Sequence, residues 1–264
     1  MVIQLPESPY PLSLGVSLAL LILSEANSFY PGSTGFKIAA ALSFLSAGIN
    51  AASAKLPSWQ WATITQPENR YTAALVFGLA FSVVGDILLI PSKVNYYKKP
   101  TSNGVEKPEG QTPRFKAGVF FFALAHISYI VAFVSKLPQG GFRWVDGGLA
   151  LSFGVLFTVW LGILNTKPTP GARFLVPEDM FGLVTAYIVI IMSMVASATA
   201  TDEGWQRIIG AWSFMISDIF VAADTFGVKK NGENKKNKGR KGWKARSVGW
   251  IAYFGAQLVL AGCI

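Results

Sequence analysis

Two aspartates and the only histidine, Asp86, Asp218 and His126, are the residues of this 264-residue chain whose types and places could do chemistry. Asp86 lies in RYTAALVFGLAFSVVGDILLI (70–90), an apolar run long enough to cross a bilayer. Asp218 lies in GAWSFMISDIF (210–220). A lone ionised carboxylate is so unfavourable in hydrocarbon that an intramembrane Asp is a functional-site candidate by default. A pair of them beside an imidazole offers general acid–base catalysis, or a proton or ion relay. The structural alternative for Asp86 is a side chain near a helix end that reaches the headgroups or caps a neighbour.

The two stretches resemble one another. Each places a Gly eight residues before an Asp-Ile pair, Gly78 to Asp86 and Gly210 to Asp218. The next apolar runs extend the match, with His126 of AHISY 40 residues after Asp86 and Gln257 of AQLVL 39 after Asp218. Two four-helix halves related in parallel would explain this, and a chance match of short motifs is the alternative. Beside His126, residues Gly118, Phe122 and Tyr129 fall on the same helix face by steps of three and four. The bland account of His126 is a buried imidazole satisfied by a helix neighbour.

The elements that must position these groups follow from composition. The chain is 52% hydrophobic and 14% charged, where a soluble domain carries nearer a quarter charged residues. Apolar blocks of spanning length predict an all-α membrane protein of eight transmembrane helices, forming one domain over residues 1–264. They fall near 12–29, 36–54, 70–90, 116–135, 145–164, 177–198, 205–226 and 246–264, separated by Pro and Gly joints such as Pro31-Gly32, Pro57, Pro91, Pro138, Pro168, Pro170 and Pro177. The N-terminal MVIQLPESPYP lacks a basic signal-peptide region, so the first block reads as a retained span. Trp59, Trp61, Tyr96, Tyr97, Trp144, Trp205 and Trp243 fall near helix ends, as interfacial anchors should.

Charge tests the count. With eight spans, only Lys55, Arg70, Lys136, Arg143 and Arg207 occupy one face, leaving 18 of the 23 Lys and Arg residues on the other. That bias predicts both termini away from the cytosol, and polar cytosolic loops at 92–114 and 227–245. The basic run KKNKGRKGWK (235–244) reads as solvated tether, with contact to anionic lipid as the alternative. The net charge of +9 thus belongs to topology rather than to nucleic-acid binding. One Cys and one His permit neither a disulfide framework nor a zinc cluster, and no metal or cofactor is expected.

In this topology Asp86, Asp218 and His126 all fall on the cytosolic side, about 7, 13 and 15 Å from the nominal helix ends. One cavity open to the cytosol could hold all three. Glu25, Asn27 and Lys37 share that side, where a Glu25–Lys37 ion pair is the bland expectation and Lys37 as a phosphate contact the functional one. Asn50, Ser82, Ser217 and Asp224 are candidates for interhelical hydrogen bonds, Asp224 more simply for a surface role, and Tyr187 and Met192 for packing.

GDILLI, FKAGVFFFALAHISYIVAF, GAWSFMISDIF and YFGAQLV resemble the lysoplasmalogenase-like (YhhN) family of eight-helix membrane proteins. The family pattern is met by Gly85-Asp86, Phe115, Gly118, His126, Tyr129, Tyr187, Gly210-Ala211, Ser217-Asp218, Tyr253 and Ala256-Gln257, in order over nearly the whole chain. It departs at Lys37-Ile38, where the family often has Lys-Pro, and in its long basic loops. The resemblance implies a hydrolase that splits the vinyl ether bond of a lysoplasmalogen, releasing a fatty aldehyde and glycerophosphoethanolamine or glycerophosphocholine. It implies Asp86 and Asp218 as catalytic residues, with His126, Tyr129, Lys37, Tyr187, Ser217 and Gln257 binding or orienting substrate. It also implies a lysophospholipid partner and, by analogy with animal members, the endoplasmic reticulum membrane. Vinyl ether hydrolysis needs an acid to protonate an alkene carbon and a negative charge beside the resulting oxocarbenium ion, as in glycosidases. Two rival readings remain, an ion- or proton-coupled transporter using the same Asp and His residues, and a lipid-binding scaffold without activity. Helices three and seven lack the central Gly or Pro breaks common at transport sites.

Overall fold

A computed structural model describes residues 3–56, 58–97, 112–167, 171–228 and 242–264. The described residues are helical, with one isolated bridge between Phe174 and Gly227. The helices are α1 (Tyr10–Ala26), α2 (Tyr30–Ser53), α3 (Trp61–Ile64), α4 (Pro67–Leu88), α5 (Lys93–Tyr97), α6 (Pro113–Ser135), α7 (Trp144–Leu161), α8 (Glu178–Thr201), α9 (Gln206–Phe226) and α10 (Trp243–Ala261). Each predicted long helix is present, with ends shifted by up to six residues, and the short α3 and α5 were not expected. Pro57, Pro168, Pro170, most of the two basic loops and residues 235–241 of the basic run lie outside the described residues.

Local sequence explains several ends. Pro lies in the first turn of α1, α2, α4 and α6, where its missing N–H is one the helix cannot use. Thr112 caps α6 by accepting the Phe115 N–H at 3.2 Å, and Gly162 stops α7 at φ +69°. The Asp202 carboxylate takes the Gly204 and Ile208 N–H groups at 2.9 and 3.2 Å, capping α9.

Six helices, α2, α4, α6, α7, α8 and α9, are long and apolar enough to cross a membrane. Among the described residues α1 and α10 do not meet that measure, so six of the expected eight spans are supported by length and composition. α1 has only 17 residues, and α10 carries Lys244, Arg246 and Gln257 among its 19. The outer faces keep large apolar groups exposed, among them Phe120, Val131, Leu156 and Trp160, which suits lipid contact. Trp59, Trp61, Trp144 and Trp205 are exposed near helix ends, whereas Tyr96, expected as a similar anchor, is buried.

Neighbouring helices pack in the order α2, α4, α6, α8, α9, α10 and back to α2, with α1 against α2 and α10 and α7 against α8. Inside that ring Phe122, Tyr129, Phe214 and Tyr253 form an aromatic core, with Phe214 and Tyr253 5.2 Å apart at their centroids. The repeated Gly has a packing use in both helices. A Cβ on Gly78 would come within 2.3 Å of the Tyr129 ring, and one on Gly210 within 2.7 Å of Leu260. These close approaches bring α4 to α6 and α9 to α10.

Candidate active site

A cavity of about 340 Å³ opens between the ring helices, and both Asp86 and Asp218 line it. α2 turns one face toward it, with Tyr30, Ser33, Thr34 and Lys37 at helical spacing. α4 brings Asp86 two residues before its last position, with Gly85 in front of it. A Cβ on Gly85 would stand 2.7 Å from Phe122, so the glycine allows α6 to close over the carboxylate.

The two carboxylates have different partners. Asp86 is buried and forms an ion pair with Lys37, Nζ to Oδ1 at 3.2 Å. Lys37 also reaches the Asp86 carbonyl at 3.3 Å. Tyr253 on α10 donates its hydroxyl to Asp86 Oδ2 at 2.6 Å. Asp218 is more open, with its side chain 20% exposed. Tyr187 on α8 donates its hydroxyl to Asp218 Oδ2 at 2.6 Å, and the same oxygen lies 3.6 Å from His126 Nε2. His126 Nε2 is 2.9 Å from that tyrosine hydroxyl. A hydroxyl has one proton to give, and here the carboxylate takes it, so the imidazole must donate from Nε2. Its Nδ1 is buried with no hydrogen-bond partner among the described residues. The result is a short chain, His126 to Tyr187 to Asp218, ending at the cavity.

The structure sorts the other sequence candidates. Lys37 and Tyr187 touch the carboxylates directly. His126 is fully buried and meets the cavity only through Tyr187. Ser217 lines the cavity, but its hydroxyl is donated to the Phe214 carbonyl of its own helix at 2.6 Å. Tyr129 donates to Gln257 Oε1 at 2.7 Å, and neither residue lines the cavity. The expected Glu25–Lys37 pair is not formed. Glu25 instead holds Arg246 at 3.1 Å and accepts the Ser33 hydroxyl, while Lys37 lies deeper against Asp86. Asp224 meets the same Arg246 at 2.9 Å. Asn50 is exposed and Asn27 bonds to a carbonyl of its own helix, so neither joins helices, whereas Ser82 donates to the Gly78 carbonyl at 2.9 Å and also meets the Tyr129 hydroxyl of α6.

Sequence reasoning passed over Tyr253 as the hydroxyl on Asp86 and Arg246 as the hinge between Glu25 and Asp224. Tyr253 had a signal, because it lies one helical turn before Gln257 on the same face. Arg246 had none, since a charge at the start of a helix beside a basic loop reads as surface. Among the described residues no group of three His, Cys, Asp or Glu side chains is placed to hold a metal ion. A model of the YhhN family matches residues 32–264. No curated protein and no solved structure matches the chain.

Proposed function

The chain belongs to the YhhN family, and on that footing we propose that it is a membrane-embedded hydrolase cleaving the vinyl ether bond of lysoplasmalogens. The observation that carries the reading is the pair of carboxylates on one cavity, one ion-paired and buried, the other more open and backed by a hydroxyl and an imidazole. Oxocarbenium chemistry uses two carboxylates in unlike surroundings.

In this mechanism Asp218 is the acid. It carries a proton on Oδ1 while Oδ2 accepts from Tyr187, and gives that proton to the alkene carbon of the vinyl ether. The neighbouring carbon becomes an oxocarbenium centre, stabilised by the anionic Asp86 that Lys37 and Tyr253 hold in place. Water adds to that carbon and loses a proton, giving a hemiacetal. Collapse of the hemiacetal breaks the carbon–oxygen bond to glycerol and yields the fatty aldehyde and the glycerophospho alcohol. The proton lost by water passes to Asp218, anionic after its donation and itself on the cavity lining, while Tyr187, backed by His126, holds its other oxygen. The apolar side chains of α6, α8 and α9 that line the cavity receive the alkenyl chain.

With this reading goes a place in the endoplasmic reticulum membrane, by analogy with animal members of the family. The basic loops face the cytosol, close to anionic lipid, and the two halves of the chain are parallel repeats. The buried His126–Tyr187–Asp218 chain also suits a proton path, which supports a second reading as a proton-coupled transporter. Purified protein, assayed for aldehyde and for fatty acid release over a panel of lysolipids, separates the two. Aldehyde from a vinyl ether lysolipid, lost in both Asp86→Asn and Asp218→Asn, is the expected result. Wild-type turnover in both variants would end the mechanism, and proton flux in proteoliposomes without hydrolysis would favour the transporter.

A further inference from the structure

We propose that this cavity holds an ammonium subsite, in which the rings of Tyr30 and Tyr96 receive the positively charged amine of a choline or ethanolamine lysolipid headgroup. The inference rests on the hydrolase reading and specifies the substrate that the site takes. Tyr30, Tyr96 and Tyr97 form a cluster, with ring centroids 5.1 Å apart for Tyr30–Tyr96, 5.0 Å for Tyr96–Tyr97 and 6.5 Å for Tyr30–Tyr97. The cluster is held in place by polar contacts. The Tyr30 hydroxyl donates to the Pro91 carbonyl at 3.1 Å, and the Tyr30 N–H donates to the Tyr97 hydroxyl at 3.4 Å. Tyrosines at a membrane interface commonly face lipid. Here Tyr96 is 4% exposed, and both it and Tyr30 line the cavity.

Spacing and charge point to the same ligand. Tyr30 lies seven residues before Lys37 on the cavity face of α2, a rise of about 10 Å. From the amine nitrogen of such a headgroup to its vinyl ether oxygen, the bonded chain is about as long as three extended peptide residues, also about 10 Å. An amine at the tyrosines therefore sets the vinyl ether beside Lys37 and Asp86. With Asp218 protonated as the acid, carboxylates still outnumber cations among the described charged residues on the lining, with Glu25, Asp86 and Asp224 against Lys37 and Arg246. That excess draws in an ammonium group and disfavours lysolipids whose headgroups are purely anionic. Aromatic faces bind an alkylated ammonium through the ring quadrupole, which suits choline in particular.

The test reads binding without turnover. The probes are 1-O-hexadecyl-glycero-3-phosphocholine and 1-O-hexadecyl-glycero-3-phosphate, alkyl ethers that lack the vinyl bond, titrated into the purified full chain in detergent. Wild type is expected to prefer the phosphocholine probe. Tyr30→Leu and Tyr96→Leu are each expected to weaken it about tenfold and to leave the phosphate probe unchanged. Tyr30→Phe, which keeps the ring, is expected to retain the preference. No preference in wild type, or equal loss of both probes in the Leu variants, overturns the subsite. A ring-dependent preference in a protein that releases no aldehyde from the vinyl ether counterpart would sink the hydrolase reading and leave the subsite standing. Hydrolysis indifferent to headgroup and to both tyrosines would do the reverse.

Discussion

Removing the Lys37 ammonium gives the most direct test of how Asp86 is held. At an effective dielectric of about 20, unit charges 3.2 Å apart attract by about 5 kcal/mol. Desolvation of the two groups offsets part of this, and Lys37, at 15% side-chain exposure, keeps some contact with water. Deleting one partner of such a pair nevertheless leaves the other charge buried, and costs about 3–5 kcal/mol. Lys37→Met should therefore lower the unfolding free energy of the purified protein by about that amount, followed by denaturation in detergent. Asp86→Asn added to Lys37→Met removes the stranded charge and should recover most of the loss, because replacing both members of a buried pair is often nearly neutral. Recovery of stability must not bring back activity, since the anion beside the cationic intermediate is gone. If Lys37→Met is as stable as wild type, or if the double variant is no more stable than Lys37→Met, Lys37 does not hold Asp86 and the assignment of Asp86 as the fixed anion falls with it.

Two further outcomes follow from contacts within the site. Tyr253→Phe deletes a hydroxyl that donates to a carboxylate at 2.6 Å, a bond worth about 1.5–3 kcal/mol, so kcat for aldehyde release should fall about 10- to 150-fold. Unchanged kcat would show that Tyr253 packs beside Asp86 without orienting it. Gly78→Ala would place a methyl 2.3 Å from a Tyr129 ring that is buried, tied to Gln257 and stacked near Phe133, so about 1–3 kcal/mol of stability should be lost in thermal unfolding. A stable Gly78→Ala variant would mean that α4 and α6 can separate without cost.

The eight long helices show where one-dimensional signals suffice, and the short α3 and α5 where they do not. Apolar runs separated by Pro and Gly joints located every long helix, because a chain in hydrocarbon must satisfy its backbone internally and Pro and Gly interrupt helices. The count of spans was less secure. α10 reads as apolar by eye, yet it spends positions on Arg246 and Gln257, whose value lies in contacts with α1, α9 and α6. The same gap explains the Glu25–Lys37 expectation. Proximity along the chain pointed to a pair, while the turn of α2 carries Lys37 inward to Asp86 and leaves Glu25 to Arg246, over two hundred residues away.

Asp86, Asp218 and His126 were legible as a group from residue type alone, because so few polar side chains interrupt the apolar runs and each is costly there. Which group meets which was not. Helix periodicity tells which residues share a face of one helix, but it carries no information about the rotation and height of the helix opposite. Only packing decided that Tyr253 and Lys37 go to Asp86, that Tyr187 and His126 go to Asp218, and that Tyr129 keeps Gln257 away from both. Close approaches at Gly78, Gly85 and Gly210 set those rotations, and they turn two similar sequence motifs into two carboxylates with different surroundings.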